Sequence, residues 1–139
     1  MSAAHATIAA MKAPSLADFE AMAAVAYAGL PETFRNMTGA VVVRIEDFPT
    51  DDVLDELDIE TPFDLLGLFQ GVGLTAAEAM PATGQMPNTV FLYRRPILDY
   101  WAEHDETLGA IITHVLIHEI GHHFGLSDED MAAIEDKAE

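Results

Sequence analysis

The chain has 139 residues, half of them apolar and none of them cysteine, so it is long enough for one cored domain and excludes disulfides and thiolate ligands. Against 6 basic residues stand 24 acidic ones, a formal charge of −18 that repels phosphates and excludes nucleic acid and anionic membranes as partners. A basic peptide or protein is the partner such a surface attracts.

Residues 1–14 read as a flexible, alanine-rich tail, and 15–139 as a single domain. The start "MSAAHATIAAMKAPS" has no basic residue ahead of an apolar run, so no signal peptide is expected. No apolar stretch approaches the ~20 residues of a membrane span, and the expected location is the cytoplasm. Pro14-Ser15 opens the first helix, with Asp18 closing a variant capping box. Phe19, Met22, Ala23, Ala26, Tyr27 and Leu30 follow at helical spacing until Gly29 and Pro31 stop it. "PETFRNM" reads as one more short turn, and "AVVVRIE" (40–46) as a strand by its β-branched run.

From Glu46 to Asp64 the chain carries nine carboxylates. They lack the glycine that a calcium-binding EF-hand loop needs at its sixth position, so a solvated face with a short helix begun by Thr50 is expected. "DLLGLFQ" (64–70) and "NTVFLYRR" (88–95) are the remaining strand candidates, separated by a loop with Gly71, Gly73, Pro81, Gly84 and Pro87. The glycines there serve chain reversal better than phosphate binding. Pro96 is expected to end the third strand and start a short helix through Trp101. Helix, then strands, then helices make an α+β arrangement.

From Thr107 to Phe124 the sequence is apolar nearly all round, as in a helix at the centre of a domain. His118 and His122 share a face with Ile111 and Val115, so two imidazoles and the Glu119 carboxylate are expected in an enclosed place, where unpaired polar groups are costly. Residues four apart lie one turn apart, so both histidines reach a single ion, and Glu119 stands beside them as a base for a metal-held water. His114 is one turn earlier. It lies about 12 Å along the axis from His122, too far for three turns to converge on one ion. It reads as a hydrogen-bonded residue of the core or of the ligands' surroundings, and His123 as facing elsewhere.

The third ligand must come from another segment. Gly125 suits the left-handed residue that ends a helix, and a sharp turn there brings Asp128 back toward the histidines. Ser127, Asp128, Glu129 and Asp130 equally read as the acidic start of a last helix, and both readings can hold. A glutamate on a downstream helix is the other way to complete such a site. Only 17 residues follow His122, which favours Asp128.

The run "HEIGHHFGLSD" (118–128) resembles the extended zincin signature H-E-x-x-H-x-x-G-x-x-H/D. With "LLGLFQG" and "TVFLYRRPI" upstream, the chain is similar over roughly residues 16–136 to the small bacterial zincin-like metallopeptidases. The resemblance implies a small mixed β-sheet packed on helices, with a central active-site helix beneath an edge strand. It also implies one zinc ion held by His118, His122 and Asp128, with Glu119 as catalytic base. Larger metzincins place a methionine turn under the metal. The downstream methionine here, Met131, follows Asp128 too closely and is left out of the site.

The expected function is therefore zinc-dependent hydrolysis of peptide bonds by a zinc-bound water that Glu119 activates. The alternative is a zinc-holding interaction module without turnover, in which a carboxylate beside an open position has no purpose. Tyr93, Arg94 and Arg95 are candidates for binding substrate and steadying the oxyanion. The substrate, a peptide or protein, is expected to add as a strand alongside residues 88–94.

Overall fold

Capping residues start most of the helices where the sequence offers them. The protein is described here by a computed structural model covering residues 13–71 and 88–138. Helix α1 (Leu16–Ala28) begins at Ser15, whose hydroxyl accepts from Asp18 N at 3.1 Å while the Asp18 carboxylate accepts from Ser15 N at 2.8 Å. A short helix α2 (Glu32–Thr38) leads into strand β1 (Val41–Glu46). Thr50 caps α3 (Asp51–Leu57), as its position in the acidic stretch suggests, and a single 3-10 turn occupies Pro62–Asp64. Strand β2 is Gly67–Gln70 and β3 is Asn88–Tyr93. The remaining helices are α4 (Arg94–Glu103), α5 (Leu108–His123) and α6 (Asp128–Lys137). Much of the turn-rich loop read between β2 and β3 lies outside the described residues, as does nearly all of the expected tail.

The architecture is α+β, with helices around a three-stranded mixed sheet of order β1-β3-β2. Strand β3 runs parallel to β1, from Val41 beside Asn88 to Glu46 beside Tyr93. It runs antiparallel to β2, with Gly67 opposite Leu92 and Gln70 opposite Thr89. Both edges of β3 are thus taken, which corrects the expectation that a substrate strand adds along residues 88–94. The outer strands β1 and β2 each turn one edge away from β3, and neither has a second strand partner among the described residues; of the two, β2 is the one packed on α5.

A second correction concerns Pro96. It does not terminate β3 but sits in the first turn of α4, where a missing N–H costs nothing because those donors have no partner within the helix. Arg94 and Arg95 are accordingly helical.

Helix α5 is the centre of the domain. It packs on α1, α4, α6, β2 and β3, and its Ile112, Leu116, Ile117 and Ile120 are fully buried. That accounts for a sequence apolar on nearly every side. Phe19 of α1, Val90 and Leu92 of β3, Ile97 of α4 and Met131 of α6 close the core around it. No helix among the described residues is long and apolar enough to cross a membrane.

Candidate metal centre

The chain reversal after α5 positions the chemistry. Gly125 N–H donates to His122 O at 3.1 Å and Leu126 N–H to Gly121 O at 2.9 Å, the paired bonds of a Schellman turn. Gly125 has φ +79°, the left-handed conformation expected of it. Ser127 then caps α6 through Asp130 N at 3.1 Å, so Asp128 is at once the first residue of a helix and the end of a tight return.

The return sets Asp128 Oδ1 3.8 Å from His122 Nε2. His118 stands one turn earlier, its ring centroid 5.8 Å from that of His122 and nearly perpendicular to it. Enclosure falls along the row: the His118 side chain is 26% exposed, His122 60% and Asp128 93%. The expectation of an enclosed pair holds only at the His118 end.

Burial, with His114 and His122 adding to it, holds the His118 pKa below the ordinary histidine value, while Glu135 works the other way. A neutral imidazole is the form that binds a metal. Burial also lifts the Glu119 carboxyl above the usual range, opposed by His122 beside it. A carboxylate shifted this way is a better proton acceptor than a solvated one.

Glu119 and His122 open into a cleft of about 380 Å³, bounded by Leu68, Phe69 and Gln70 of β2 and by Val53, Glu56 and Leu57 of α3. His123 belongs to its wall. Its ring stacks on Phe69 with centroids 4.2 Å apart, and Nε2–H donates to Gly71 O at 3.2 Å, tying the end of β2 to α5.

The structure does not bring Tyr93, Arg94 and Arg95 to this cleft. Tyr93 is 2% exposed and its phenol is pushed up to about 12, by burial first and then by Glu46 and Glu119. It lies within electrostatic reach of Glu119 without lining the cleft. Arg94 donates to Pro14 O at 2.6 Å and to Asp47 at 3.0 Å, while Arg95 lies 5.6 Å over the Phe48 ring. Both arginines hold the segment after β1.

Three further residues stand around the signature: His114, expected to be hydrogen-bonded, and Glu135 and Met131, to which the sequence assigned no part in the site. His114 is an exposed residue, not a core one, and its Nδ1 meets Glu135 Oε1 at 2.9 Å. Glu135 also stands 3.7 Å from His118 Nε2. The last helix, α6, carries it there, although the sequence pointed only to Asp128 at its start as reaching the histidines. Met131 is fully buried against Gly121, where an added β-carbon would stand 2.6 Å from its sulfur. It packs α6 onto the turns of α5 that carry His118 and His122.

The donors suit zinc: two imidazoles and a carboxylate, with no fourth protein ligand in the signature. Donor atoms on a tetrahedral ion at ~2.0–2.1 Å are roughly 3.3 Å apart; His122 and Asp128 stand 3.8 Å apart, while His118 does not come within 4.8 Å of both in this structure. No curated protein matches the chain. A family model described as zincin-like metallopeptidase matches residues 38–138, which takes in all three strands, α3 to α6 and the whole signature, and leaves out α1 and all but the last residue of α2. The chain belongs to the zincin-like metallopeptidase family.

Proposed function

We propose that the protein is a zinc-dependent peptidase, with one zinc held by His118, His122 and Asp128 and with Glu119 as its base. The observation that carries this reading is the Schellman return that sets the Asp128 carboxylate 3.8 Å from His122 Nε2, on the turn next to Glu119. Zinc bound there supplies the polarisation of the scissile carbonyl and the acidity of the attacking water.

The rest falls to the chain's own residues. Glu119 takes a proton from the water as it attacks, and returns it to the departing amide nitrogen so that the C–N bond breaks to a neutral amine. Its partly buried position favours the protonated carboxyl that the second half of this cycle needs. The outer edge of β2 offers main-chain hydrogen bonds to an extended peptide, replacing β3 in that role. Glu56 on the facing wall, together with the net charge of −18, favours a basic side chain in the substrate. Glu119 also favours this reading over a zinc-holding module without turnover, which needs no base beside an open position.

Glu119→Gln tests it. The variant is expected to keep its fold and zinc while hydrolysis of a peptide library falls by two or more orders of magnitude, about the contribution of a general base. Undiminished hydrolysis would remove Glu119 from the chemistry.

A further inference from the structure

One turn of α5 away from the cleft stands a second set of donors. His114 Nδ1 contacts both oxygens of Glu135, at 2.9 and 3.0 Å, and the His118 Nε2 lies 3.7 Å from the nearer one. The His114 and His118 rings stack with centroids 4.0 Å apart. One ligand atom from each of the three residues falls within 4.8 Å of the others, and theirs is the one such group among the described residues. The separations bracket the roughly 3.3 Å edge of a tetrahedral site at zinc–nitrogen and zinc–oxygen bond lengths.

We propose that His114, His118 and Glu135 form a second site for a divalent transition metal, one that competes with the peptidase centre for His118. Two imidazoles and one carboxylate select zinc, cobalt or nickel over calcium and magnesium, which prefer oxygen alone. His114 and His118 lie four residues apart, the same helical pitch that relates His118 to His122, so α5 carries two overlapping pairs with His118 common to both. The His118 Nε2 has a single lone pair and faces Glu135 in this structure. While it binds an ion beside Glu135, the peptidase centre keeps only His122 and Asp128. Excess metal therefore withdraws a ligand from the working site. The competition rests on the peptidase reading; the second site does not.

The test uses the full chain with His122→Ala and Asp128→Ala together, two exposed positions whose loss leaves the core intact. Folding is checked by circular dichroism, and Co²⁺ is titrated while visible absorption and heat are read. The double variant is expected to retain about one Co²⁺ per chain, and adding His114→Ala is expected to weaken binding roughly tenfold or more. In the unaltered chain the His114 ring signals in nuclear magnetic resonance are expected to shift as Zn²⁺ is added, a readout that holds even if the double variant fails to fold. A folded double variant that binds no Co²⁺, unchanged affinity on adding His114→Ala, or unmoved His114 signals would overturn the second site and leave the peptidase reading standing. Retained Co²⁺ in the double variant, beside an unaltered chain that binds zinc but hydrolyses nothing, would sink the peptidase reading alone.

Discussion

A β-carbon added at Gly67 would stand 3.3 Å from Cγ of Glu119, 2.7 Å from Cγ1 of Val115 and 3.0 Å from the backbone oxygen of Phe91. The absence of a side chain at this one position lets β2 lie directly against the turn of α5 that carries Glu119. Gly67→Ala must push strand and helix apart or displace the Val115 side chain, and the Phe91 carbonyl of β3 leaves the new methyl no room on the sheet side. A loss of about 1–3 kcal/mol is expected, the usual range for overpacking, measured by urea unfolding. A neutral outcome would mean that β2 and α5 are less closely joined than the contact implies.

Met131 ties the turns of α5 that carry His118 and His122 to α6. It is fully buried, and its sulfur approaches Gly121 between His118 and His122. Met131→Ala leaves a cavity there and is expected to cost about 2–5 kcal/mol. Helix α6 also carries Asp128 and Glu135, so zinc affinity should fall with stability. Parallel urea and zinc titrations check this, and a destabilised variant with unaltered zinc affinity would separate the two roles.

Tyr93 predicts a pH dependence. Its phenol ionises near 10.0 in an unfolded chain and only at about 12 in the fold, because burial first, then Glu46 and Glu119, disfavour the anion. Between those values the unfolded state has released a proton that the folded state still holds, so stability falls as pH rises. The contribution is fully present below pH 10 and lost as pH approaches about 12. Tyr93→Phe is expected to flatten this part of the profile in a series of urea melts. An equal slope in both proteins would assign the alkaline loss to other groups.

The helix that carries the chemistry was legible because each of its signals is local. The apolar run from Thr107, Gly125 as left-handed stop and the spacing of His118, Glu119 and His122 depend on near neighbours alone. The order of strands was not legible in the same way, because a strand's own residues say which faces are buried and not which strands flank it. "NTVFLY" held a hint, since its burial on both faces suits a central strand better than an edge. The start of α4 was misplaced because Pro96 reads as a stop, although the first turn of a helix tolerates it. A glutamate on a downstream helix stands in the sequence as the alternative to Asp128, but that Glu135, one acid among several on α6, meets His114 and His118 is decided only by the packing of the two helices.

The most direct measurement is zinc content per chain with His114→Ala in place, so that the overlapping position is removed, with and without Asp128→Ala. Close to one zinc is expected in the single variant, and a marked loss in the folded double variant, as for a catalytic site of three protein ligands that loses one. Full zinc in the double variant, or none in the single variant after reloading, would contradict a centre built on His118, His122 and Asp128.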